Sequence, residues 1–483
     1  MFELCRPVLL VTGGLLSVVA LAMCLPAAVD VVHGEEEWLV FAASAAVTFF
    51  FGQLLMTANR GARAAQFSVR QIFLLTLVGW VVVSCAAAMP FTFGLHLSAT
   101  DALFEAVSGV TTTNATVLRG LDAAPPGILL WRALLQWLGG MGFLVMAVAV
   151  LPALNIGGMQ IFRLETSRAD EHLTPRLARL AAGLLAIYAG LTLLLTLLLW
   201  AAGLSRFPAL LQAMSTISCG GFSTSDGSIG HWHDPAVDWV VLLGMVLGGA
   251  PFGIYFQVLQ RRWRLALQNT QLRWYLTIMA AAALAMSGWI IVETNVKPLP
   301  ALRHGIFTAA SVMTGTGFAT LDWGQWAGFP TAVLFLLGLI GGCAGSTAGG
   351  LKVFRLQILY ATARLQLTRL LRPHAVLVTQ YERRPVPDVV AESVLGFLFV
   401  YTLSFALLSM ALGLVGLDFL SSISAAASAL ANLGPGLTPS VGPMAGYATV
   451  PDAAKWLLAA AMIFGRLEMF VVLAVFSPSF WKP

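Results

Sequence analysis

Charge is what this chain has least of. Of its 483 residues only 10% are Asp, Glu, Lys or Arg while 58% are apolar, and the mean hydropathy is +0.84. So little charge cannot cover a water-facing surface, which excludes a soluble fold. Cysteine is sparse as well: Cys5, Cys24, Cys85, Cys219 and Cys343 show no C-x-x-C spacing. An odd, scattered set builds neither a disulfide framework nor a zinc site, and most of these side chains read as small apolar fillers. No G-x-x-x-x-G-K-[ST] stretch is present, so the chain does not itself hydrolyse ATP. No His/Asp/Glu or Ser/His constellation stands in register for a membrane enzyme. His231 and His233, in GHWHD, read as members of a solvated loop rather than a metal pair. The net charge of +5 reflects basic loops on one side of a membrane and points to no nucleic-acid partner.

Long apolar runs dominate what remains. Repeated stretches of about twenty apolar residues define an all-α polytopic membrane protein of about ten transmembrane helices. The first, Pro7 to Ala28, lacks a convincing small-residue cleavage site and reads as a retained span. With Trp38 to Met56 it forms an N-terminal helical pair, residues 1–69. Of the 27 Lys and Arg, six (Arg119, Arg132, Arg206, Lys297, Arg303, Lys455) fall on one side and Arg466 within the last span. The other twenty share the side of the amino terminus, so the positive-inside rule puts both termini in the cytoplasm. Trp and Tyr near span ends read as interfacial anchors against lipid.

The rest of the chain repeats itself. SGVTTTNATV from Ser108, STISCGGFST from Ser215, SVMTGTGFAT from Ser311 and SALANLGPGL from Ser428 share one register. Each has Ala two residues before its Ser (Ala106, Ala213, Ala309, Ala426) and a turn residue six after it (Asn114, Gly221, Gly317, Gly434). One copy alone carries little weight, but four in register define a repeat. Every copy lies between two apolar spans, which gives pore repeats at 70–165, 166–265, 266–385 and 386–483, each a span, a re-entrant loop and a span.

Irregular backbone is tolerated at membrane depth only where protein buries it or a wet cavity borders it, since each unpaired polar group costs several kcal/mol. Four such loops in pseudo-fourfold arrangement can aim rings of carbonyl oxygens at one axis and replace the hydration shell of a potassium ion. The candidate ligands are Thr112, Thr113 and Asn114; Cys219, Gly220 and Gly221; Gly315, Thr316 and Gly317; and Asn432, Leu433 and Gly434. No loop carries an acid between its Ser and its turn residue, which suits a monovalent rather than a divalent cation. The transported ion is the only cofactor implied.

Two further features suggest a barrier. GGCAGSTAGG interrupts the third unit's second span with glycines that cost about 1 kcal/mol each against alanine in a helix. Composition fits either a flexible loop or a close helix contact. Arg466 lies in the middle of the last span, where an ionised group is expensive and faces a partner or a watery path. Glu468, two residues away, points to another side of a helix. Arg466 is expected to project into the pore and meet the third-unit loop, with a salt bridge to another acid as the other reading. LQLTRLLRP, Leu365 to Pro373, is a basic amphipathic stretch, either a membrane-surface helix or a docking element.

The four loops, together with QWLGGMGF (Gln136 to Phe143), GGCAGSTAGGLKVFR (Gly341 to Arg355), NLGPG (Asn432 to Gly436) and GRLE (Gly465 to Glu468), closely resemble the TrkH/KtrB superfamily of potassium-uptake membrane subunits. The resemblance covers nearly the whole chain, and the extra N-terminal pair favours the TrkH branch. It implies a homodimer in the bacterial inner membrane with one pore per protomer, and a cytosolic TrkA-like ring that binds NAD(H) or ATP and regulates opening. It makes Gly341, Gly342, Gly345, Ser346, Thr347, Gly349 and Gly350 an intramembrane gating loop, facing Arg466. One position departs: the family has glycine where this chain has Asn114, and in eukaryotic relatives a non-glycine there accompanies sodium permeation. A proton- or sodium-coupled symporter is the rival reading; it needs an intramembrane acid, and Glu105, the nearest, reads as support for the N-terminal region of the first re-entrant helix.

Overall fold

The structure, a computed structural model, describes residues 2–61, 67–146, 173–294, 296–372, 374, 378–382 and 384–482. Helices α1 (Phe2–His33) and α2 (Trp38–Ala58) form the N-terminal pair. They cross closely because small residues face each other: a methyl group at Gly13 would lie 2.6 Å from the Gly52 carbonyl oxygen.

Four units follow, each pairing long helices with a short one. The first holds α3 (Val69–Gly94), α4 (Ala99–Val110) and α5 (Pro126–Val145). The second holds α6 (Leu173–Ala201), α7 (Arg206–Ile217), α8 (Pro235–Gly249) and α9 (Phe252–Leu259), followed by a short α10 (Trp263–Gln268). In the third, α11 (Thr270–Thr294) and α12 (Pro298–Thr314) precede α13 (Phe329–Ile340) and α14 (Val353–Leu371). A two-stranded hairpin, β1 (Gln380–Tyr381) against β2 (Arg384–Pro385), leads to the fourth: α15 (Asp388–Leu414), α16 (Phe419–Ala431), α17 (Asp452–Arg466) and α18 (Met469–Phe476).

Length separates the roles. Helices α4 and α7 have 12 residues each, about 18 Å at 1.5 Å per residue, too short for a hydrocarbon core of about 30 Å. They enter and stop, as do α12 and α16, and each ends two or three residues past its repeat serine. Among the described residues seven helices are long and apolar enough to span, and two bent pairs, each taken as one span, bring the number to nine. The interrupted α13/α14 makes the tenth, so the chain is an all-α polytopic membrane protein.

Two spans differ from the sequence expectation. The closing span of the second unit, expected as one helix, bends by 97° between α8 and α9, and that of the fourth bends by 109° between α17 and α18. Pro251 explains the first: it lacks an amide hydrogen and holds Ala250 in extended backbone (φ −82°, ψ 154°). At the second, Glu468 takes φ 59°. The freed groups find partners in the other interrupted span. Cys343 N donates to Gly249 O at 3.1 Å, Thr347 N to Gly248 O at 3.3 Å, and Phe252 N to Gly345 O at 2.8 Å. Broken helices thus complete each other where lipid could not.

The end of the first unit's second span at Leu151, the boundary at 165/166, and Arg63, Arg163, Arg168, Pro373 and Arg383 lie outside the described residues.

Candidate functional site

The four re-entrant loops share one backbone. The residue four after each repeat serine and the residue six after it have positive φ in every loop. The values are 55° and 66° at Thr112 and Asn114, 52° and 80° at Cys219 and Gly221, 72° and 76° at Gly315 and Gly317, and 52° and 94° at Asn432 and Gly434. A β-branched Thr112 in the left-handed region is strained, and such strain persists only where surroundings over-determine it. Those surroundings are also fourfold. Each serine carbonyl accepts the amide five residues on: Ser108 from Thr113 at 2.8 Å, Ser215 from Gly220 at 2.8 Å, Ser311 from Thr316 at 3.0 Å and Ser428 from Leu433 at 2.9 Å. The amide after each helix end is thereby tied back to its own helix, so all four loops leave their helices in the same way.

Neighbouring loops touch at the turn residues. A methyl group at Gly221 would run into the Thr316 carbonyl oxygen, one at Gly434 into that of Thr113, and one at Gly317 would lie 2.7 Å from that of Leu433. The loops therefore follow one another around an axis, the first between the second and fourth and opposite the third. Glycine is required at these three places by the approach as well as by φ. Asn432 ties the fourth loop to the first, donating from Nδ2 to Thr113 Oγ1 at 2.9 Å and to Met462 O at 2.9 Å.

Helix α5 braces the ring from behind. Gln136 Nε2 donates to Gly220 O at 2.7 Å, and its Oε1 accepts from Phe222 N at 3.0 Å. Arg132 pairs with Glu105 at 2.9 Å, donates to Ser223 O at 2.9 Å and lies over the Phe222 ring. The Glu105 carboxylate also accepts from Thr116 Oγ1 and Val117 N. Glu105 lies in the middle of α4, wholly buried, so its role as a support for the helix N-terminus is corrected: it fixes the segment leaving the first loop at Thr116 and Val117. Gln136 was visible in sequence only as part of QWLGGMGF, and nothing marked Tyr447, whose hydroxyl donates to Gly434 O at 2.8 Å.

One end of the ring opens into a vestibule of about 430 Å³ whose lining includes Asn114, Gly221 and Gly317 but none of Thr112, Cys219, Gly315 or Asn432. Three of the turn residues, with Pro435 in place of Gly434, therefore form its floor, and the residues two before each turn residue lie deeper.

At the other end lie the remaining candidates. Gly341 to Gly350 form irregular backbone, with Ser346, Thr347 and Gly342 buried. Thr347 Oγ1 reaches Ile217 O at 2.9 Å, Gly248 O at 3.1 Å and Cys219 Sγ at 3.2 Å, so this loop presses directly on the second re-entrant loop. Methyl groups at Gly341 and Gly349 would meet the backbone of Gly349 and Ala431, while Gly345 faces open space. Arg466 Nη1 donates to Thr347 O at 3.1 Å, its guanidinium lies 3.9 Å from the Phe143 ring centre, and Nε and Nη2 have no hydrogen-bond partner among the described residues. Glu468 binds Lys352 at 3.3 Å and Arg355, not Arg466. The space left between Phe143, Gly350, Asn432 and Arg466 is about 10 Å³, no more than one water fills. Among the described residues no three His, Cys, Asp or Glu side chains gather to hold a metal ion. Neutral oxygens are what the ring offers.

Known proteins share this fold. The TrkH family, described as cation transport protein, matches residues 39–482. The chain is 36% identical over 478 residues to the Trk system potassium uptake protein TrkI of Halomonas elongata, covering 99% of this chain and 97% of that one. It is 35% identical over 489 residues to the Trk system potassium uptake protein TrkH of Escherichia coli K12, covering 99% of each. Among solved structures it is similar to the crystal structure of the potassium transporter TrkH from Vibrio parahaemolyticus, with a TM-score of 0.91 and 34% identity over 99% of both chains.

Proposed function

The chain belongs to the TrkH family of cation transport proteins, and from that premise we propose that it takes up potassium across the bacterial inner membrane through the ring of re-entrant loops. The observation that carries this reading is the repeated pair of positive φ values four and six residues after each serine, on four segments spread over more than three hundred residues of chain. Such a repeat has no packing purpose that demands left-handed Thr, Cys and Asn; it aims successive carbonyls at one axis.

Gly341 to Gly350 act as the gate in this reading, held closed by Arg466. The vestibule faces outward and both termini face the cytoplasm, in keeping with the charge asymmetry. The protein works as a homodimer, and a cytosolic NAD(H)- or ATP-binding ring of the TrkA kind docks on the basic inner surface near Arg364, Arg369 and Arg372. Uptake is driven by membrane potential. Coupling to protons or sodium is disfavoured because Glu105, the acid on the first re-entrant helix, is sealed in its ion pair with Arg132. Permeation by sodium alongside potassium is the second reading, favoured by Asn114, whose amide sits among the loops where its three siblings have glycine.

Purified protein in liposomes under a clamped potential is expected to take up rubidium and potassium, with no change when a pH gradient is imposed. Flux that requires the pH gradient would replace the channel-like reading with symport. Adding the ring protein with each nucleotide reads out regulation in the same preparation.

A further inference from the structure

The Asn114 side chain touches all three of the other loops. A methyl group built at Gly221, in the second loop, would lie 2.6 Å from Asn114 Nδ2; one at Gly317, in the third, 2.7 Å from the same atom; one at Gly434, in the fourth, 2.7 Å from Asn114 Cβ. A side chain rooted in one member of a fourfold ring can reach the other three only by lying on the axis. Its Nδ2 donates to Thr316 O at 3.1 Å, in the diagonally opposite loop. Among the described residues no hydrogen bond to its Oδ1 is found, and the residue is half-exposed on the vestibule floor.

We propose that Asn114 is an on-axis carboxamide latch, closed by its hydrogen bond to the Thr316 carbonyl and displaced by the entering cation. The inference rests on the transport reading above and adds a step to it. Thr316 O belongs to the ring of carbonyls five residues after each serine, with Thr113, Gly220 and Leu433. A carbonyl that accepts from a fixed on-axis donor cannot turn to a cation on that axis, because donor and cation claim the same space. Binding at this ring and closure of the latch are therefore mutually exclusive. The carboxamide oxygen is the first neutral ligand a cation meets from the vestibule. Swinging the side chain aside with the cation frees Thr316 O to replace a further water. Gly220 O, bonded by Gln136 from the side, keeps a second lone pair for the ion.

A latch that must open lowers apparent affinity by the fraction of time it is closed. A neutral hydrogen bond has a net worth that translates to roughly two- to tenfold. The test is rubidium uptake into proteoliposomes over a concentration series for the native chain, Asn114→Gly, Asn114→Ala and Asn114→Asp. Aspartate has the shape of asparagine but no amide to donate. All three variants are expected to lower KM by about two- to tenfold. If Gly and Ala lower KM and Asp does not, bulk rather than the hydrogen bond sets affinity and the latch is overturned; unchanged or raised KM in all three overturns it too. Thermal stabilisation of the purified proteins by potassium chloride reads the same shift without transport. A native chain that binds potassium with the expected shift but carries no flux would overturn the transport reading while supporting the latch.

Discussion

Replacing Arg466 by Ala tests the barrier beneath the ring. Its guanidinium makes one charge-assisted hydrogen bond to the loop from Gly341 to Gly350, at Thr347 O, and stacks on Phe143. A hydrogen bond to a charged group is worth about 1.5 to 3 kcal/mol, which shifts a two-state gate roughly 10- to 150-fold toward open. Two nitrogens of the same group, Nε and Nη2, have no hydrogen-bond partner among the described residues, so little other bonding to these is lost with the side chain. The assay is rubidium efflux from proteoliposomes lacking the ring protein, beside the native chain, with size-exclusion profile and thermal midpoint as controls for folding. Basal efflux is expected to rise at least tenfold. Arg466→Lys, which keeps the charge on a shorter head that cannot stack as a plane, should fall between. A folded Arg466→Ala protein with native efflux would refute the assignment of the barrier to this residue.

Glu468 pairs with two buried cations, so Glu468→Gln removes the carboxylate that Lys352 and Arg355 share and is expected to lower stability by about 3 to 5 kcal/mol, read as a lower thermal midpoint in detergent. Gly139→Ala should be poorly folded and inactive, because its Cβ would collide with the backbone carbonyl of Val110 at the end of α4, whereas Gly142→Ala on the same helix meets open space and should behave as native. Asp418 caps α16 by accepting from Ser421 N at 3.1 Å, and hydrogen bonds from Ser421 hold its carboxyl below the ordinary value of 3.8. A depressed carboxyl contributes stability that is present above its unfolded pKa and lost as pH falls through the folded one. Asp418→Ala is therefore expected to lower stability by about 1 kcal/mol with no pH dependence between 5 and 8, and the difference from native should shrink only below pH 4.

What could be read in the sequence was periodic along the chain, and what could not was set by direction or by long-range contact. The four loops announce themselves because Ser108, Ser215, Ser311 and Ser428 each carry a turn residue in the same register. Apolar length gave the spans, since hydropathy records that a segment is buried in lipid. It does not record where the segment points. Phe252–Leu259 and Met469–Phe476 are apolar enough to continue the helices before them, yet they turn by 97° and 109°. Pro251 was the available signal for the first turn. Glu105 and Arg132 are 27 residues apart and Asn114 and Thr316 are 202 apart, and no local pattern joins either pair.

The four short helices account for a buried arginine without an acid. Each of α4, α7, α12 and α16 ends just before the ring, so four C-terminal carbonyl ends converge below it, each carrying the partial negative charge of a helix terminus, about half a unit. That field favours a cation at the centre, which is what a cation pathway needs. The same field explains Arg466. Its neighbour Gly465 packs directly on the Leu430 carbonyl near the end of α16, and its hydrogen-bond partner Thr347 is bonded in turn to Ile217 O at the end of α7. With Glu468 committed to Lys352 and Arg355, no carboxylate pairs with the guanidinium among the described residues. Buried charge without such a partner is costly, so the helix ends must supply the compensation. Arg466 then stands as a tethered cation beside the place prepared for the mobile one, and the two compete for the same field. On this account the arginine blocks by charge as well as by bulk, and Arg466→Gln, which keeps most of the volume, should raise basal flux nearly as far as Arg466→Ala. Flux from the glutamine variant that stays at the native level would show that bulk alone closes the path.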